Sequence, residues 1–222
     1  MGTPSAIAPY PPQTRRPGAH RNRLWPTPAV CSTRGVSFVI REAVPEDAGD
    51  IAAAHTEGWR RGYRGLIADD ILDSEAFADA RREGWQAMLA GRLPDIRRAE
   101  DSIYVAVAGE RAVGFGHIGL ERDGPGDRSE LLGFYVHPDF WGTGAAQGLI
   151  ERCHLGLQRF GLAAVLWVLR DNPRARAFYE RNGWACGDGE DLVEHDWVGP
   201  AMAGLAEFDD PLPEVQYRRA FS

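Results

Sequence analysis

Trp141, Gly142, Thr143, Gly144, Ala145 and Ala146 lie between an apolar run ending at Val136 and a helical pattern that includes Leu149 and Ile150. Small residues let the backbone approach an anion closely, and the first amides of a helix have no intrahelical acceptor. The chemistry this arrangement suits is phosphate binding, although a tight turn without a ligand uses the same residues. A dinucleotide-binding fingerprint is not met, because His137 to Trp141 intervene between the strand and Gly142. The acidic residue that such a fingerprint places about twenty positions on is also missing, since that region is the apolar run 163–167. A P-loop is excluded because the chain has no lysine.

A second group of residues follows. Asn172 and Tyr179 are seven positions apart, which on a helix brings them within roughly 20° of one face. One ligand could touch both, whereas a purely structural Tyr179 would pack beside Phe178. Tyr179, with an ordinary phenol pKa of about 10, is suited to give a proton rather than to act as a base. His117 and His137 are candidate bases, and each also reads as a structural or surface histidine.

The elements that must position these groups follow from periodicity and punctuation. A short strand over 37–41 leads through the turn at 45–47 into a helix over 47–59, with further helices over 66–72 and 75–89. Residues 103–108 and 112–118 flank Gly109 and Glu110 as a hairpin, and 131–136 is another strand. A helix opens near Gly144, with Ala146, Leu149, Ile150, Cys153, Leu157 and Phe160 at helical spacing, and 163–169 is an apolar strand. The helix after it is well bounded: Asn172 caps it, Pro173 sits in its first turn and Gly183 follows Asn182 as a stop.

Composition sets the outer bounds. The 222 residues, 44% hydrophobic and 26% charged, suit one α/β globular domain with an appendage. Residues 1–35 carry Pro4, Pro9, Pro11, Pro12, Pro17, Pro26 and Pro28 and little apolar periodicity, so they read as a flexible extension ahead of a domain over 36–222. The net charge of −7 is uneven, because Arg15, Arg16, Arg21, Arg23, Arg34 and Arg41 precede the first acidic residue, Glu42. An acidic body repels phosphodiester backbones, so no specific nucleic-acid partner is expected. Lacking an uninterrupted apolar span or a secretory signal, the chain reads as cytoplasmic, with no membrane partner. Cys31, Cys153 and Cys186 are too scattered for a disulfide framework or a structural metal site. Every basic residue is arginine, as a GC-rich bacterial gene would encode.

Taken together, Val136, His137 and Pro138, then Trp141 to Ala146, then Asn172, Ala175, Phe178, Tyr179, Gly183 and Trp184, resemble the GCN5-related N-acetyltransferase family in order and spacing. The resemblance runs from about 36 to 221, with residues 215–219 similar to the family's final strand. It implies a central, mixed, mostly antiparallel twisted sheet of six to seven strands flanked by helices. It also implies acetyl-CoA as co-substrate, no metal, and a primary amine as acceptor, attacked directly in a ternary complex. By the resemblance the amides of Gly142 to Ala146 hold the pyrophosphate, the backbones of Tyr135 and Val136 pair with the pantetheine arm, and Asn172 and Ala175 lie beside it. Tyr179 then lies near the thioester sulfur. Glu130 matches an acidic position that accepts the amine's proton in some members, and reads equally as a solvated carboxylate. Trp141 stands where the family usually has Arg or Gln, a departure for which Arg174 or Arg176 would compensate. His55, Trp59 and Tyr63 resemble an acceptor-facing stretch of a bacterial subgroup. Homodimers are common in the family. A non-catalytic acyl-CoA sensor and an interaction protein acting through its arginine-bearing extension are the competing readings.

Overall fold

Alternation along one strand places Ile103, Val105 and Val107 on one sheet face and Tyr104 and Ala106 on the other. Both sets are buried, so a helical layer must cover each face. The computed structural model describes residues 29–33, 36–92, 100–122, 128–161, 163–197 and 211–221. In chain order these form β1 (Ala29–Thr33), β2 (Val36–Glu42), α1 (Ala48–Gly62), α2 (Asp69–Asp73), α3 (Glu75–Leu89), β3 (Ser102–Ala108), β4 (Arg111–Leu120) and β5 (Ser129–Val136). They continue as α4 (Ala145–Leu157), β6 (Ala163–Leu169), α5 (Pro173–Arg181), β7 (Ala185–Cys186), β8 (Glu194–Trp197) and β9 (Leu212–Ala220).

The sheet runs β1-β2-β3-β4-β5-β6-β9-β7, with β8 also on β9, and every pairing is antiparallel except β5 with β6. On one face α4 packs Leu149, Ile150, Cys153 and Leu157 into a core with Tyr104, and Tyr179 of α5 joins the same cluster. On the other face Ile51 of α1 and Trp85 and Met88 of α3 cover Val105 and Phe115. The end of α1 meets α2 and α3 through Trp59, Leu72 and Phe77.

Several expectations are corrected. The sheet has nine strands among the described residues rather than six or seven, because β1, β7 and β8 are short edge pieces held by a neighbour's ladder instead of by an apolar pattern. β1 falls inside the segment read as extension and pairs Cys31 with Phe38, so the sheet begins upstream of residue 36. Residues 1–28 of that extension lie outside the described residues. The helix read over 66–72 is only Asp69–Asp73. Gly65 at φ +84° turns the chain there, and the Leu66 and Ile67 amides both donate to the Tyr63 carbonyl. Conversely α1 runs on to Gly62, which sets Tyr63 at its C-cap. No helix among the described residues is long and apolar enough to cross a membrane.

Candidate active site

β5 and β6 pair only at Ser129 with Ala164 and Glu130 with Val165, so the ladder stops after the second residue of β5. The His137 amide donates to Val113 O at 2.8 Å and Phe115 faces Tyr135 across β4. Antiparallel alternation therefore commits the Tyr135 backbone to β4 and turns the Val136 backbone toward the gap. The ladder thus leaves the Val136 backbone to face the gap and Tyr135 to present its side chain. The Val136 carbonyl already accepts the Trp141 indole N–H at 2.8 Å.

Past β5 a 3-10 turn over Pro138–Phe140 leads to Gly142 at φ +76° and Gly144 at φ +97°, and α4 begins. No side chain caps α4, and nothing lies within 4 Å of where a Gly142 Cβ would stand. The helix amides thus face open space, the arrangement an anion requires. Thr143 Oγ1 donates to the Phe140 carbonyl at 2.6 Å and the Ala145 side chain is fully buried, so both side chains hold the turn rather than line the cleft. Arg174 lies over Trp141, its Cζ 3.6 Å from the ring centroid, and lines the cleft. Burial lowers the Arg174 pKa, with Arg61 and Arg181 adding like-charge repulsion. Of these, Arg174 and Arg181 line the cleft. Arg176 does not compensate for Trp141, since it donates to the Tyr217 hydroxyl at 3.0 Å and the Arg170 carbonyl at 3.0 Å outside the cleft lining.

The cleft has a volume of about 1270 Å³ and brings together Glu130, Val136, Trp141, Gly142, Gly144, Ala146, Asn172, Ala175 and Tyr179. Asn172 Oδ1 accepts the Ala175 amide at 3.1 Å, so capping uses its carbonyl and leaves its amide group for a ligand. Tyr179 is 8% exposed, with its ring at the edge of Phe134, and burial raises its pKa further above the ordinary phenol value. Its hydroxyl is therefore kept protonated. Glu130 Oε2 accepts the Arg122 amide at 3.1 Å, and Arg122 in turn reaches Asp101 at 3.0 Å. His117 lines the same region with its ring bonded to Asp101 at 3.0 Å, whereas His137 accepts the Asp139 amide at 3.3 Å and does not reach the cleft. Burial pushes the Cys153 thiol up, which leaves it protonated and unreactive. Among the described residues no group of three or more His, Cys, Asp or Glu is arranged to hold a metal ion.

At the other end His55, Trp59 and Tyr63 do converge. His55 Nδ1 accepts the Trp85 indole N–H at 3.1 Å among the rings of Phe115 and Tyr135, and burial lowers its pKa so that it stays neutral. The Tyr63 and Tyr135 hydroxyls share a 2.9 Å hydrogen bond, and burial raises both pKa values. Gly58 makes room for this, since a Cβ there would stand 3.1 Å from Tyr135 Cδ1. Two residues of the cleft have no signal in the sequence. Arg81 of α3 is one of two adjacent arginines in an amphipathic helix, and Glu214 is an ordinary acidic residue in β9 that pairs with His195 at 2.9 Å. Burial raises the Glu214 pKa, although His195 opposes this.

The acetyltransferase (GNAT) family model matches residues 67–184. The chain is 27% identical over 137 residues to YuaI of Bacillus subtilis, named as an uncharacterised N-acetyltransferase, covering 60% of this chain and 73% of that protein. It is 32% identical over 147 residues to a protein of Archaeoglobus fulgidus named in the same terms, covering 63% and 88%. Among solved structures it resembles the PaiA N-acetyltransferase of Thermoplasma acidophilum in complex with coenzyme A, with a TM-score of 0.58 at 17% identity over 83% of this chain and 99% of that one. The split sheet, the uncapped α4 and the extent of the family match together place this chain in the GNAT acetyltransferase family.

Proposed function

We propose that the protein moves an acetyl group from acetyl-CoA to a primary amine by direct attack in a ternary complex. The observation that carries this reading is the gap between β5 and β6, beside which the uncapped start of α4 and Tyr179 line one cleft. When bound, acetyl-CoA supplies an activated acyl group and a thiol leaving group. The residues present suit it. The amides of Gly142 to Ala146 would hold the pyrophosphate, with Arg174 in place of the side-chain donor that Trp141 lacks, and the Val136 amide and Asn172 would hold the arm.

An alkyl amine has a pKa near about 10.4 and is mostly protonated at neutral pH. Glu130 lines the cleft and would take that proton directly or through water. Tyr179, kept neutral by burial, would hold the proton that a departing thiolate needs. No thiolate nucleophile is assigned, in keeping with the protonated Cys153.

A second reading, an acyl-CoA binder without turnover, is favoured by one observation: the Trp141 indole occupies the Val136 carbonyl that an incoming amide would use. Thiol release from acetyl-CoA across a panel of primary amines separates the two. Tyr179→Phe keeps the ring's packing and loses the hydroxyl. On the transferase reading it lowers kcat by roughly 10²–10⁴-fold and leaves stabilisation by acetyl-CoA intact. Binding without thiol release in the parent would leave the sensor reading standing, and an unchanged kcat in the variant would return Tyr179 to a packing role.

A further inference from the structure

Arg81 is an arginine that the fold has removed from water. Its side chain is fully buried, and Nε, Nη1 and Nη2 have no hydrogen-bond partner among the described residues. Its Cζ stands 3.8 Å from the centroid of Trp59 and 4.7 Å from that of Phe77, so two aromatic faces hold the plane of the guanidinium. Aromatic faces attract the charge but accept none of its N–H donors. Burial lowers its pKa to about 10, which still leaves it cationic at neutral pH.

The neighbourhood does not answer that charge. His55 is held neutral and the Tyr63–Tyr135 pair is held protonated. Glu83, Glu130 and Glu214 line the same cleft, yet none of them pairs with Arg81. Removing one partner from a buried ion pair is among the costlier defects a fold can carry. Arg81, on α3, is among the residues that line the acceptor end of the cleft, whereas the residues assigned to the coenzyme belong to β5, α4 and α5. The missing anion is therefore one that arrives with a second ligand.

Resting on the transferase reading, we propose that the amine acceptor carries a carboxylate or a comparable oxyanion, and that Arg81 receives it as a two-pronged pair. A guanidinium fork matches a planar oxyanion, and a water-free site strengthens the pair. The walls set by Trp59, Trp85 and Phe115 select an apolar stem between that anion and the amine. The acceptor class is an amino acid or a short amino-carboxylic acid with a hydrophobic body.

The binding test uses a pair that differs only in the anion, phenylacetate against phenylacetamide, and L-phenylalanine and L-phenylalaninamide serve as acceptors. Calorimetry on the full chain saturated with coenzyme A should show phenylacetate binding at least about ten-fold tighter than phenylacetamide. Arg81→Gln should abolish that preference and Arg81→Lys retain part of it, while both variants keep the thermal shift produced by acetyl-CoA. Equal binding of acid and amide by the parent, or no binding of either, overturns the proposal without any variant. A preference that survives Arg81→Gln overturns it equally. Thiol release with neutral amines and no carboxylate preference would sink this assignment alone. Carboxylate preference without thiol release from L-phenylalanine or any other amine would sink the transferase reading alone.

Discussion

Glu130 and Tyr179 divide the proton traffic of the proposed reaction, and their surroundings differ in kind. Tyr179 sits in the core with its phenol held neutral by desolvation, while Glu130 takes a backbone hydrogen bond at the rim of a charged cluster containing Arg122, Asp101 and His117. A proton donor must keep its proton until the leaving group takes it, so the buried site of Tyr179 suits that role. If Glu130 accepts the amine's proton, Glu130→Gln lowers kcat/KM for the amine by roughly 10²-fold near pH 7. Raising the pH restores part of that loss as the amine deprotonates unaided. The comparison is made at saturating acetyl-CoA. A Gln profile that overlays the parent's from about pH 6 to 9 would remove Glu130 from the mechanism. At this scale the Trp141 indole also closes onto Val136 and its face takes Arg174, so one aromatic residue both orders the strand end and positions a cation.

The element that matters most is α4. Its N-terminus has no capping side chain, and Gly144 reaches φ +97°, a conformation that costs an L-residue roughly 1–2 kcal/mol. Elsewhere such a helix end would be a defect. Here its amides open into the cleft. Gly144→Val therefore strains the turn and sets a branched side chain where the backbone must meet phosphate. Each form serves as its own reference: acetyl-CoA raises the Tm of the parent and leaves that of the Val variant unchanged. A full shift in the variant would show that the amides of α4 are not the anion site. The same helix packs tightly on the sheet, since a Cβ at Gly156 would lie 2.9 Å from the Tyr104 hydroxyl, so α4 is fixed in depth as well as direction.

At the scale of the whole molecule, the two helical layers bury imidazoles as well as apolar groups, and this shapes stability against pH. His154 of α4 accepts the Trp184 indole N–H at 3.0 Å, and burial, with help from Arg219, pushes its pKa down to about 4 from an ordinary 6.5. His55 is lowered on the opposite face. A base whose pKa is depressed by folding takes up its proton first in the unfolded chain. The stability it supports is thus fully present above pH 6.5 and is lost as pH falls toward 4. His154→Gln keeps an acceptor for Trp184 but cannot protonate. Between pH 7 and pH 4.5 the parent's Tm should fall further than the variant's by about 2–4 °C, allowing for the partial exposure of His154. Parallel curves would show that His154 does not titrate with folding.

Local order was legible without the fold. The limits of α5, the turn into α4, the hairpin of β3 and β4 and the facing positions of Asn172 and Tyr179 all follow from caps, glycines and periodicity, which act within a few residues. The strands β1, β7 and β8 were not legible, because each exists through a ladder with a distant or edge partner and not through its own pattern. Register was equally hidden: only the His137 amide bonded to Val113 O, in the register that pairs Phe115 with Tyr135, decides that Val136, and not Tyr135, turns its backbone to the gap. The same holds for Arg81, Arg176 and Glu214, whose side chains look alike in a sequence as solvated charges. Tertiary packing alone buried Arg81 without a hydrogen-bond partner among the described residues, committed Arg176 to Tyr217 and set Glu214 in the cleft, since burial and charge pairing arise from residues brought together across the chain.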